Sequence, residues 1–203
     1  MDSRMRPRKK QPAVTRLAIL ESAGVEFARH GYAGTGLEAV VKRAELTKGA
    51  LFHHFSDKLA MAVAWIDELL APSLGERWIA PMAGLTSLEA LKTFIRGRVL
   101  EMDAADPACA LVIMSAGNTA AEGALGAAME RVFGAWREEL SALLERGKTA
   151  GWIHRSIQPQ AEAVFLVAAV AGFCVTSRTA MNESARRGCA AALDAYLETL
   201  RAQ

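Results

Sequence analysis

Cysteine, proline and aromatic residues are scarce in this 203-residue chain, and charge of one sign is no more abundant than the other. The three cysteines, Cys109, Cys174 and Cys189, form an odd set without metal-ligand spacing, which excludes a disulfide framework or zinc site and fits a reducing compartment. The longest uncharged apolar run, Ala163 to Val175, has 13 residues, short of the roughly 20 that a bilayer-crossing helix needs. No membrane partner is therefore expected. The opening MDSRMRPRKKQP is basic but has no apolar run behind it, so it is not a secretory signal, and a cytoplasmic location is expected. Catalytic signatures are missing as well: there is no G-x-S-x-G, no H-E-x-x-H and no Walker loop. Gly34 to Ala39 spells G-x-G-x-x-A, yet it follows a helical stretch where a dinucleotide loop must follow a strand. His53 and His54 are adjacent, which on a helix aims them about 100° apart, so they cannot share a metal. The expectation is a non-enzyme without cofactor or metal.

What the chain has in quantity is apolar residues at helical spacing. Its 52% hydrophobic content is ample for a buried core and excludes disorder. Charge is unevenly placed: residues 1–58 hold 11 Lys/Arg against 6 Asp/Glu, a net +5, while the other 145 hold 13 against 16, a net −3. A basic end attached to a neutral-to-acidic body suits a partner carrying phosphates. Arg4, Arg6, Arg8, Lys9 and Lys10 make residues 1–13 a basic disordered arm, either a solvated tail or a strand of contacts along a duplex.

Residues 14–58 read as three helices. The first runs from Val14 to His30 and buries Leu17, Leu20, Gly24 and Phe27, and Gly31 closes it. Thr35 and Glu38 form a T-x-x-E capping box that opens a second helix near Gly36, with Leu37, Val40, Val41 and Ala44 on one side. A turn at Ala44-Glu45-Leu46 leads to a third helix, capped by Thr47 and ending at Phe55, with Leu51, Phe52 and Phe55 toward the core. Its remaining face gathers Thr47, Lys48, Gly49, His53 and His54: hydrogen-bond donors beside a glycine that permits close backbone approach. Two short helices joined by a tight turn, with such a face on the second, make a reading head for the major groove of duplex DNA.

The segment GYAGTGLEAVVKRAELTKGALFHHFSDK closely resembles the DNA-binding segment of TetR-type (TetR/AcrR family) one-component transcriptional regulators, over about Thr15 to Lys58. The resemblance implies that Thr35, Thr47, Lys48, Phe52, His53, His54 and Lys58 touch phosphates or base edges. It differs at Glu45, where the family usually has glycine, at His53, where it usually has an aromatic, and at Phe52, which lacks a tyrosine hydroxyl.

Beyond Lys58 the periodicity stays helical, so the fold class is all-α: an N-terminal three-helix helix-turn-helix head and a C-terminal antiparallel helix bundle over residues 59–203, for effector binding and dimerisation. A link helix carries Leu59, Val63, Ile66 and Leu70 up to Pro72. A box at Thr86 and Glu89 opens a helix through Leu91, Phe94, Ile95, Val99 and Met102, stopped by Asp106-Pro107. Helices follow over Ala108–Ala116, Glu122–Ala150, Gln160–Met181 and Arg186–Arg201. The segment Gln160 to Met181 is apolar nearly all round and must be covered on several sides, either within its own subunit or by a second copy. The resemblance implies the latter, a four-helix homodimer interface from the last two helices. Candidate walls for a small apolar or aromatic effector are Trp65, Trp78, Phe94, Met102, Met114, Met129, Phe133, Trp136 and Phe165. Cys109 is either a small buried hydrophobe or, as in some branches of the resembled family, a thiol that meets oxidants or electrophiles. The reading is a ligand-released repressor on a palindromic operator; the alternative is a helix-turn-helix protein with no small ligand.

Overall fold

A computed structural model of the chain describes residues 12–116, 123–178 and 182–202. The basic residues of the arm, Glu122 and Met181 lie outside that range. Among the described residues every regular element is a helix, as the periodicity predicts.

Helix α1 (Pro12–Gly34) starts two residues before the expected Val14, because proline suits a first helical turn whose N–H groups have no partner anyway. It breaks at Gly31 (φ 68°, ψ −178°), where a Cβ would stand 3.1 Å from the Ile113 carbonyl, and a last turn continues to Gly34. Ile19, Leu20, Ala23 and Phe27 are its buried stripe, whereas the expected Leu17 is exposed. Thr35 does not cap α2 (Leu37–Arg43); Gly36 holds that position without a side-chain bond. Instead Thr35 is buried and its hydroxyl donates to the Gly31 carbonyl at 2.7 Å, stitching the kink. Thr47 does cap α3 (Lys48–His54), accepting from Ala50 N at 3.2 Å. Leu51 and Phe55 face the core, but Phe52, also expected there, is 49% exposed.

Asp57 caps α4 (Lys58–Trp65), and the rod does not stop before Pro72 as expected. It passes through a π-helical turn (Ile66–Leu70), α5 (Ala71–Leu74), a second π-helical turn (Gly75–Ile79) and a 3-10 turn (Ala80–Gly84). The widened turn ahead of Pro72 gives its ring and missing donor room, so the proline bends the rod without ending it. Ser87, rather than Thr86, caps α6 (Leu88–Glu101) by accepting from Ala90 N. That helix ends one residue before Met102, and the Asp106-Pro107 pair starts the next element instead of stopping this one. Asp106 caps α7 (Pro107–Ser115) from Ala108 N at 2.9 Å, with proline at the first position.

Helix α8 (Ala124–Ala150) ends at Gly151, whose left-handed conformation (φ 80°) sends Trp152 N back to Gly147 O. Helices α9 (Pro159–Ser177) and α10 (Glu183–Glu198) complete the bundle. The observed α9 extends past the 13-residue apolar run, and at 19 residues it is long and apolar enough to cross a membrane by length and composition alone. α1 packs on α7, α8 on α9, α6 on α10, and α7 on α9, and one continuous apolar core joins head and body.

Candidate nucleic-acid interface

The head is held by a turn and an ion pair. At the end of α2, Glu45 N–H donates to Lys42 O and Leu46 N–H to Val41 O, the paired bonds of a helix end closed by a left-handed residue. Glu45 is that residue, at φ 54°, the one positive-φ position among the described residues that is not glycine. The turn therefore keeps its geometry without glycine and stores strain in exchange. From below, Arg43 reaches the carboxylate of Glu26 on α1 at 2.7 Å, a nearly buried acceptor that ties α1 to α2. Neither partner was prominent in the sequence, because they lie 17 residues apart with no local pattern joining them.

With the frame fixed, α3 presents Thr47, Lys48, Gly49, Phe52 and His53 together on its exposed face, with His54 half-buried beside them. The His53 and His54 rings meet edge-on at 5.2 Å. Gly49 has no internal need to be glycine, since a Cβ there would meet only Thr47 Oγ1 at 3.9 Å. Lys48 Nζ donates to Glu38 Oε1 at 2.7 Å across the two helices, and this bond holds the Glu38 carboxyl below its ordinary range. A phosphate reaching Lys48 has to compete with Glu38.

Two expected site residues are turned away from this face. Thr35 is 2% exposed with its hydroxyl committed to Gly31. Lys58 lies over the Tyr32 ring at 4.6 Å and donates to Ala33 O at 3.3 Å, and burial lowers its pKa.

Apart from Trp65, which also lines a cleft between head and body, the expected effector walls are not open to a cavity. Trp78 contacts Trp136 at 4.9 Å and Phe94 at 6.2 Å, and its indole N–H donates to the buried Asp106 at 3.0 Å. Arg77 Nε stands 2.9 Å from the other Asp106 oxygen, an ion pair without hydrogen-bond alignment. The void bounded by Trp78, Met82, Trp136 and Leu166 has about 10 Å³ of free room, at the limit for one water. Met114, Met129 and Phe133 fill core space elsewhere in the bundle, Phe133 only half-buried. Trp65 packs against Phe27 at 5.4 Å. Phe165 faces outward, half exposed, against Tyr196 at 4.7 Å, so it belongs to the outer surface of α9 and α10 and not to a cavity. Cys109 is buried, and its side chain together with burial pushes the Cys174 thiol far above its ordinary range, while Cys174 Sγ donates to Met102 Sδ at 3.3 Å.

Residues 19–64, which span the helix-turn-helix just described, match the profile of bacterial regulatory proteins of the tetR family. The chain is similar to the A-factor receptor protein of Streptomyces griseus (25% identical over 178 residues, 84% of this chain and 58% of that one). It also resembles the HTH-type transcriptional repressor AcnR of Corynebacterium glutamicum (34% over 87 residues, 43% of this chain and 42% of that one). The matches thus span about half the length of these relatives. Among solved structures, a TetR-family regulator from Agrobacterium tumefaciens superposes with TM-score 0.79 at 20% identity, covering 95% of this chain and 100% of that one. The reduced form of NemR from Escherichia coli gives 0.77 at 20%, over 93% and 98%. The head thus matches the tetR-family profile, and the fold is similar from end to end to those of TetR-family structures.

Proposed function

We propose that the protein is a homodimeric repressor that reads a near-palindromic duplex operator with the exposed face of α3 and is released by a small, mainly apolar effector. The observation that carries this reading is the exposed cluster of Thr47, Lys48, Gly49, Phe52 and His53 on a capped helix held rigidly by its turn. One such helix reads few base pairs, so a two-fold dimer is needed to place a second head in a successive major groove, about 34 Å or a multiple away. The outer faces of α9 and α10 supply the surface for it. Ala161, Val164, Phe165, Ala168, Gly172 and Val175 are exposed along one side of α9, and Gly188, Ala191, Ala192 and Ala195 along α10. Small residues let helices approach closely, and an apolar stripe of this size calls for cover. A second copy of the chain provides that cover in a cytoplasmic protein, with no membrane involved.

Ligand release is supported by the resemblance to TetR-type regulators and by the similarity to the Streptomyces griseus A-factor receptor protein. The second reading, a DNA-binding protein without a small effector, draws on the closed interior beside Trp78 and Trp136. The experiment is equilibrium binding to an operator recovered by genomic footprinting. Lys48→Ala is expected to weaken it and to lower the log-log salt slope by about 0.9 per subunit, about 1.8 for the dimer, with Thr47→Ala weaker by less. Unchanged affinity in both variants removes α3 from the groove. A screen of apolar compounds for operator release separates the two readings.

A further inference from the structure

Head, link and body meet around a cleft of about 590 Å³, within the usual size range of small-molecule sites. Its walls come from Val25 and Ala28 of α1, Leu69 and Leu70 of the π-helical turn after α4, and Pro107 and Ala110 of α7. Glu21 and Arg29 add one charge of each sign to the lining and Ser73 a hydroxyl, so the site favours neither an anion nor a cation.

Trp65 lines the cleft and is only 5% exposed. The nitrogen edge of its indole seats against α1, where a Cβ on Gly24 would stand 2.3 Å from the indole nitrogen; residue 24 is glycine so that the ring can seat. No acceptor among the described residues meets this N–H. The sealed, unpaired side-chain atoms among those residues are Arg77 Nε and Asp106 Oδ2, so the Trp65 nitrogen keeps access to the cleft. A nearly buried donor without an acceptor, in an apolar hollow, is a recognition point.

We propose that this cleft binds an uncharged, mainly apolar small molecule whose carbonyl-type oxygen accepts from Trp65 Nε1. The binding stands by itself; its regulatory consequence rests on the ligand-responsive reading above. A molecule seated here touches the head through α1 and the body through the link and α7, so it favours one placement of the head over others.

Indole 15N labelling provides four Nε1–H signals, from Trp65, Trp78, Trp136 and Trp152, and Trp65→Phe assigns the relevant one. The probe is 4-phenyl-2-butanone, with butylbenzene as the same skeleton without the oxygen. The Trp65 signal moves downfield saturably with the ketone and less with the hydrocarbon. The movement is lost in Ser73→Phe and Ala105→Phe, exposed cleft positions at which the other three indole signals report an intact fold. A Trp65 signal that stays put up to the solubility limit of the ketone, or one that moves despite both fillings, overturns the proposal. Movement of Trp78 or Trp136 instead rejects this cleft while leaving ligand responsiveness in place. Operator affinity measured with the same ketone tests that reading separately, since a Trp65 shift without operator release establishes the site and rejects only its regulatory consequence.

Discussion

At the scale of single residues, the most exposed departure from local rules is Glu45. A non-glycine residue in the left-handed region costs roughly 1–2 kcal/mol, and here the cost is carried at the turn that orients the reading helix. Glu45→Gly should therefore stabilise the protein by about 1 kcal/mol, seen as a higher urea midpoint with unchanged slope. Glu45→Asn should gain less stability, because asparagine tolerates this conformation without matching glycine. Both variants also remove a carboxylate that the proposed docking sets near the phosphates, so both should bind operator more tightly by the same factor. A gain in binding seen only with glycine would assign the effect to backbone geometry and not to charge. Lys48 illustrates the limit of reading residues singly. Its exposure was legible from its position in α3, but its tether to Glu38 depends on how two helices cross, which no spacing within either helix displays.

At the scale of elements, α10 is fastened to α6 by charge as well as by apolar contact. Lys92, on α6, is nearly buried and donates to Glu198 at 2.8 Å, with Asp194 at 3.2 Å and Glu89 at 3.5 Å. Arg201 adds bonds to Glu198 and Glu89. Hydrogen bonds from Arg201 and then Lys92 pull the Glu198 carboxyl down to about 2 from an ordinary 4.5. A carboxyl with a lowered folded-state pKa adds stability that is complete above 4.5 and disappears as pH falls toward 2. Glu198→Gln should consequently flatten the fall of Tm between those limits, and salt should shrink the difference, because the group is exposed. Parallel melting curves for the two proteins across that range would mean the network adds nothing. Helix existence and type were readable from periodicity and caps. The boundaries that shifted did so where two signals competed: Thr86 against Ser87 for one cap, and Pro72, read as a stop, against a π-helical turn able to absorb it. The expected effector walls were legible as apolar residues, but periodicity does not distinguish a filled core from a lined cavity. Phe165 shows this, since it shares the spacing of a buried stripe yet stands on the outer face.

At the scale of the whole molecule, the question is how the outer bundle is connected to the head. Besides the packing of α1 on α7 and on the link helix, a contact from the end of α9 does so directly. Arg178, at the end of α9, donates to the Ala28 carbonyl at 2.9 Å and to the Arg29 carbonyl at 2.7 Å, near the end of the regular part of α1. Carbonyls there lack helical donors because Gly31 breaks the ladder, and they carry the negative end of the helix dipole, so a guanidinium suits them in number and sign. The residues involved are 149 and 150 positions apart, which is why nothing local in the chain announces the clamp. In the proposed dimer α9 also supplies the interface, so there Arg178 would link the distance between subunits to the placement of each head. Arg178→Ala should leave the sedimentation coefficient of the dimer unchanged while speeding amide hydrogen exchange in the turn of α1 around Ala28 and weakening operator binding severalfold. Arg178→Lys, with a single point charge in place of a two-pronged donor, should fall between the two. Phe165→Arg makes the opposite separation, splitting the dimer while α1 keeps its slow exchange. If Arg178→Ala leaves both exchange and operator affinity at their original values, the clamp transmits nothing, and the head takes its orientation from the packing of α1 on α7 and on the link helix.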